Sequence, residues 1–133
     1  MAACSEDKTW SLWEVDSKGG KMRGLVENTH FRAIYSISWS QSNNFVATGG
    51  GDNQIFVHKI AAHLLDQGSE VKIEPILVAK VAQAHFNDIN CVAFSPKKDS
   101  LVLGSCSDDC TIKLWTITEQ EESKEIQDAE MEA

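Results

Sequence analysis

The sequence predicts an all-β fold made of one complete four-stranded unit and two partial ones, and three observations predict it. Two segments of the chain repeat each other, and a shorter stretch at the start repeats their closing part. Each copy is a series of short β-branched and aromatic runs separated by turn residues. Nothing between the runs shows apolar residues at a helical spacing, which argues against parallel βαβ units.

The repeat opens at His30-Phe31-Arg32-Ala33-Ile34-Tyr35-Ser36-Ile37-Ser38-Trp39-Ser40, which lies over His85-Phe86-Asn87-Asp88-Ile89-Asn90-Cys91-Val92-Ala93-Phe94-Ser95 at an offset of 55. It resumes at an offset of 57, with Phe45-Val46-Ala47-Thr48-Gly49-Gly50-Gly51-Asp52 over Val102-Leu103-Gly104-Ser105-Cys106-Ser107-Asp108-Asp109. Ile55-Phe56-Val57-His58 and Ile112-Lys113-Leu114-Trp115 close the two copies. The stretch Ala3 to Trp13 matches Ser105 to Trp115 at an offset of 102, so three registers agree on Asp7, Asp52 and Asp109. A fixed internal period of this kind marks repeat architectures, whose units bury their faces by stacking.

Each run then takes its place. Ile34–Trp39 and Ile89–Phe94 read as first strands, Phe45–Thr48 and Leu101–Ser105 as second, Ile55–Ile60 and Thr111–Ile117 as third. Turns fall at Gly49–Asn53 and Ser107–Cys110. The strands carry apolar residues on both faces rather than in strict alternation, as sheets covered on both sides do.

Composition sets limits on function. The formal charge of −8 is unevenly placed: residues 119–133 hold seven acids and one base, a net of −6, leaving −2 for residues 1–118. No basic stripe is present to neutralise phosphates, so a nucleic-acid partner is not expected. The acidic stretch, rich in helix formers but poor in apolar residues, reads as a solvated or loosely helical tail. The longest apolar run, near Ile76–Ala79, is far short of the roughly 20 residues of a membrane helix, so no membrane partner is expected. Met1 to Asp7 has no apolar stretch of the secretory kind, and the four cysteines read as thiols rather than a disulfide framework.

A His before the first strand, then Ser-Cys-Ser-Asp-Asp-x-Thr-Ile-Lys-Leu-Trp across the second and third, resembles the WD-repeat family of β-propellers. The resemblance implies a hydrogen-bonded set of His85, Ser105, Asp109 and Trp115 tying the loop, second strand, turn and third strand together. The physical need is general: a buried imidazole, hydroxyl and indole N–H each require partners. The other copies are partial. His30, Thr48 and Asp52 are present, but His58 stands where the Trp belongs. Asp7 and Trp13 are present, but Ala3 holds the Ser position and the His is missing. In this family the outermost strand of a blade comes from the next repeat. Met22–Glu27 and Ile76–Val81 then complete two blades. The expected division is a partial blade over 1–27, a complete blade over 28–82 with an insertion at 61–72, a partial last blade over 83–118, and the tail over 119–133.

Within the family, Arg32-Ala33-Ile34-Tyr35 and Gln83-Ala84-His85-Phe86-Asn87-Asp88-Ile89-Asn90-Cys91-Val92 are similar to the last third of the cytosolic iron–sulfur assembly group, over residues 1–118. That resemblance implies a non-catalytic scaffold of the cytoplasm, and of the nucleus as well. Its partners would be the other subunits of an iron–sulfur targeting complex and the client apoproteins. It implies no catalytic residue, cofactor or metal. The alternative is an adaptor of the chromatin or ubiquitin-ligase type. Candidate partner-binding residues sit on the rim loops: Phe31, Arg32, Phe86, Asn87, Asn53 and Asp108. Phe31 and Phe86 have a second reading, as seals between adjacent blades. Cys91, Cys106 and Cys110 with His85 could be ligands, but no Cys-x-x-Cys pair is present. Cys91 and Cys106 are therefore expected to pack inside strands as small apolar residues. Cys106 and Cys110 flank one turn, which leaves a thiol pair geometrically open there.

Overall fold

The computed structural model describes residues 1–40, 42, 44–64 and 71–118. The described residues form ten strands and no helix. They are β1 (Ala2–Cys4), β2 (Trp10–Asp16), β3 (Gly19–Val26), β4 (Ile34–Ser40), β5 (Phe45–Gly50), β6 (Ile55–Leu64), β7 (Val71–Val81), β8 (Ile89–Phe94), β9 (Val102–Ser107) and β10 (Ile112–Thr116). Three antiparallel sheets result: β1-β2-β3, β4-β5-β6-β7 and β8-β9-β10. The all-β expectation of one complete four-stranded blade between two partial ones is what the chain forms.

The turns repeat as faithfully as the strands. Lys8, Asn53 and Cys110 hold the same place in the three copies, and each is left-handed, at φ 73°, 63° and 66°. The aspartate just before each of them accepts the amide N–H of the residue just after: Thr9 to Asp7 at 2.9 Å, Gln54 to Asp52 at 3.1 Å, Thr111 to Asp109 at 2.9 Å. A side-chain acceptor that mimics a backbone turn is why aspartate suits these positions. First strands repeat too: the register of β4 on β5 shifts between Ile34 and Ser36, and that of β8 on β9 between Ile89 and Cys91. Tyr35 and Asn90 are the extra residues of these bulges.

The sheets stack. Trp10 and Leu12 of the first sheet pack against Ile34 and Val46 of the middle one. On its other face the middle sheet presents Phe45, Ala47, Ile55 and Val57 to Ile89, Val92 and Leu103. Every residue of β5 is buried. Full burial of one such side chain stabilises by about 1.5–3 kcal/mol, so the middle blade is held from both sides. Gly49 marks how close the approach is, since a Cβ there would lie 2.9 Å from Ile89 Cγ2. Two serines of β4 fasten the joint. Ser36 Oγ accepts the Val92 N–H and Ser38 Oγ the Phe94 N–H, each at 3.0 Å.

Two features differ from the expectation, and a third bears on a pair of readings left open. The segment 61–72 is strand at both ends, because β6 continues to Leu64 and β7 starts at Val71, ahead of the Ile76 expected. Ile60 and Ile73 pack against the first–middle core, which gives the extension something to bury. Cys91 is exposed rather than packed, because it lies on a face of the last sheet that no described residue covers. Phe31 and Phe86 are 63% and 89% exposed, so neither seals a joint among the described residues. The acidic tail over 119–133 lies outside the described residues.

Candidate functional site

The last blade holds a continuous polar chain that begins at the loop before β8. His85 Nδ1 lies 3.0 Å from Asp109 Oδ2 in the β9–β10 turn, and its Nε2 lies 2.7 Å from Ser105 Oγ on β9. Trp115 on β10 donates its indole N–H to the same Ser105 oxygen at 2.9 Å. The order of donation follows. The indole donates to the serine, and with the Nδ1–H given to the carboxylate the serine hydroxyl can donate to Nε2, so that every member of the set has a partner. Asp109 also accepts the Phe86 N–H at 3.0 Å and the Thr111 hydroxyl at 2.6 Å. Burial pushes the Asp109 carboxyl up, but these donors outweigh it and hold the group below the usual carboxylate range.

The middle blade repeats the first half of this chain only. His30 Nδ1 meets Asp52 at 2.9 Å, and its Nε2 meets Thr48 Oγ1 at 2.8 Å. Asp52 takes the Phe31 N–H at 3.2 Å. Burial raises the Asp52 carboxyl, and the His30 contact with the amides of Phe31 and Gln54 brings it below its ordinary value. No indole reaches Thr48, since β6 offers His58 instead. His58 is buried, and its Nδ1 has no hydrogen-bond partner among the described residues. Its ring meets Trp10 of the first blade edge-on at 5.1 Å. Burial first, and the neighbouring His30 second, push its pKa down to about 4.

The first blade keeps the two ends and loses the middle. Asp7 accepts the Thr9 hydroxyl at 2.6 Å, and the Thr9 side chain and amide hold its carboxyl below the ordinary value. Trp13 donates its indole N–H to Ser11 at 2.7 Å. Ser11 is the register partner of Ala3, so the hydroxyl missing from one strand is supplied from across the ladder.

Sequence reasoning did not single out Ser11, Thr9 or Thr111 as members of these sets. The recurrence of Asp-x-Thr at Asp7-Lys8-Thr9 and Asp109-Cys110-Thr111 was the available signal.

Ser105, His85 and Asp109 reproduce the connectivity of a hydrolytic triad, but not its accessibility. His85 and Ser105 are only 2% and 3% exposed, and the serine oxygen already accepts an indole N–H. A nucleophile needs open space beside it for the reacting atom, and the described residues cover these two side chains almost completely. Among the described residues no three His, Cys, Asp or Glu side chains gather at metal-binding distance.

The rim loops divide in two. On the last blade Phe86, Asn87 and Asp108 come together: the Ser107 hydroxyl donates to Asn87 O at 3.1 Å, and Asn90 donates to Asp108 at 2.6 Å. Lys113 Nζ stands 5.9 Å from the Phe86 ring. Phe31 and Arg32 are exposed on the middle blade beside Gly51. Asn53 is half-buried in the β5–β6 turn, where its backbone carbonyl accepts the Ala84 N–H at 3.0 Å.

Comparison with known proteins places this geometry. The sequence model of the family described as "WD domain, G-beta repeat" matches residues 24–59 and 78–116. The probable cytosolic iron–sulfur protein assembly protein CIAO1 homolog of Chlamydomonas reinhardtii is 33% identical over 86% of this chain and 38% of its own length. The protein of that name in Bos taurus is 41% identical over 65% of this chain and 24% of its own. In Culex quinquefasciatus the values are 28% identity, 91% of this chain and 38% of the relative. The chain thus spans between 24% and 38% of the length of these relatives.

Proposed function

The chain belongs to the WD40-repeat family, and we propose on that premise that it is a non-catalytic protein-interaction scaffold serving cytosolic iron–sulfur cluster assembly. The observation that carries the reading is the run of relatives named for that assembly, which match 65% to 91% of the chain. The geometry supports it in two ways. Each titratable set that resembles a catalytic constellation is consumed in holding a blade together, while the exposed side chains are of interface type, Phe86, Phe31 and Arg32. The buried carboxylates accept the amides of Phe31 and Phe86, so the two aromatic rings stand on fixed backbone.

On this reading the three blades act within a closed ring, for which about 4–8 blades are needed. The ring joins the other subunits of a targeting complex and the client apoproteins, in the cytoplasm and the nucleus. Affinity purification of the tagged chain from cells, followed by mass spectrometry, tests it. The expected result is recovery of other iron–sulfur assembly components, lost when Phe31, Arg32 and Phe86 are all changed to alanine. Recovery of chromatin or ubiquitin-ligase components alone would replace the proposal with that of a general adaptor.

A further inference from the structure

Cys91 on β8 and Cys106 on β9 are direct register partners. They share the face of the last sheet that carries Ile112 and Leu114, which are 79% and 76% exposed. The opposite face, with Leu103 and Ser105, is the one turned into the core. The equivalent pair in the middle blade is Ser36 opposite Gly49. There β8 covers both positions, binding Ser36 through Val92 and filling the space over Gly49 with Ile89. The last blade therefore sets two thiols where the middle blade has a hydroxyl and a glycine, on a face left open by the described residues.

The distances suit a bond. Opposed residues of antiparallel strands stand about 4.5–5.5 Å apart at Cα, inside the roughly 4.4–6.8 Å span of disulfides. Both cysteines are free, Cys91 exposed and Cys106 half-buried. We infer that Cys91 and Cys106 are a dithiol that closes to an intrachain disulfide by exchange with a low-molecular-weight disulfide such as oxidised glutathione. The exposed Cys91 thiolate attacks one sulfur of the reagent, forming a mixed disulfide and releasing one glutathione thiolate. Cys106, once deprotonated, attacks Cys91 Sγ and expels the second. Two protein thiols are oxidised by two electrons, the reagent is reduced to two thiols, and the two protons pass to these.

The remaining cysteines are placed otherwise. Cys110 is exposed at the left-handed turn position outside the ladder, so it has no cysteine as a register partner; its Sγ lies 3.8 Å from Asp108 O, as Cys91 Sγ lies 3.8 Å from Val92 O. Cys4 packs against the first–middle core, and burial pushes its thiol pKa up, which slows its attack.

The inference goes beyond the scaffold reading and does not rest on it: it concerns the chain with the face of its last blade open, as among the described residues, whereas closure into a ring would cover Cys91 as β8 covers Ser36. Incubating the full chain with excess oxidised glutathione, then measuring intact mass and mapping cysteine peptides, tests it. The expected product contains a Cys91–Cys106 linked peptide short of two hydrogens, with no glutathione on either of these residues; Cys4 stays a thiol, and the exposed Cys110, with no thiol to resolve it, carries at most one glutathione. Cys106→Ser is expected to stop at the mixed disulfide, with glutathione retained on Cys91. A Cys106–Cys110 link, disulfide-joined pairs of chains, or glutathione held on Cys91 of the unaltered chain would each overturn it.

Discussion

The middle and last blades share one imidazole–carboxylate unit and differ in what stands behind it. In the last blade the far imidazole nitrogen leads through Ser105 to the Trp115 indole. In the middle blade it ends at Thr48, whose register partner Phe56 turns its ring edge-on to His30 at 4.6 Å. The Trp position is taken by His58, covered by Trp10. A polar chain can thus be cut short where aromatic rings close over its end. The half that cannot be replaced this way is the carboxylate, because it satisfies backbone amides as well as the imidazole. The sharpest test removes it from each blade. Asp52→Ala is expected to cost several kcal/mol, because it strands the His30 Nδ1 and the Phe31 and Gln54 amides at about 1–3 kcal/mol for each buried donor left without a partner, read as a lower midpoint in urea unfolding. Asp109→Ala is expected to cost less, because its turn lies in a blade with one open face. Equal losses would show that burial from both sides contributes nothing to the difference.

The second test uses pH. His58 is neutral in the folded chain and its pKa there is depressed to about 4. The unfolded chain therefore binds its proton first. The stability this histidine leaves intact above about pH 6.5 is lost progressively as pH falls toward 4. Between pH 7 and pH 5 the loss is expected to be about 2 kcal/mol, from ~1.4 kcal/mol per pH unit below the unfolded pKa. Asp52 and Asp109, whose pKa values are lowered, keep their contributions above about pH 3.9 and do not act in this window. Unfolding curves of His58→Phe against the unaltered chain isolate the effect: the phenyl ring fills a similar volume and does not titrate. If the two proteins lose stability in parallel on acidification, the buried imidazole is not the cause.

How much of this was legible depended on whether a feature was local or set by register. The strands and the His85–Ser105–Asp109–Trp115 set could be read, because residue types recur at fixed offsets and a repeat states its own alignment. The Ser11–Trp13 bond could not be read from the missing serine at Ala3, since it depends on which residue lies across the ladder. Cys91 shows the same limit more clearly. Continuing the ladder from Ile89↔Ser107 without a break would set Cys91 opposite Ser105; the bulge at Asn90 moves it opposite Cys106. One extra residue in a strand changes every later pairing, and no local propensity announces it. The segment at 61–72, expected as an insertion before the outer strand, shows a related limit: pairing between β6 and β7 and the packing of Ile60 and Ile73 extend the strands into it.

A smaller effect is expected at the indole end of the last blade. Trp115→Phe removes one half-buried hydrogen bond to Ser105 while leaving the Ser105–His85 contact in place. The expected cost is about 1 kcal/mol, visible as a modest fall in the thermal midpoint. This is well below the cost of Asp52→Ala if the carboxylate is the irreplaceable half.

The smallest effect belongs to the first blade, where the indole bond has been rebuilt from the wrong strand. Ser11→Ala leaves the Trp13 N–H half-buried without its acceptor, at an expected cost of about 0.5–1 kcal/mol. Ala3 lies directly opposite Ser11 and is the repeat's own serine position. Adding Ala3→Ser to Ser11→Ala returns a hydroxyl to the place Ser105 holds in the last blade. Opposed residues stand about 4.5–5.5 Å apart at Cβ, within reach of a rotated indole. The double variant is therefore expected to recover most of the loss, measured as a coupling between the two changes in a double-mutant cycle. Simple additivity would mean that the hydroxyl serves the indole only from β2, and that the first blade differs from the last in strand geometry rather than in one exchanged residue.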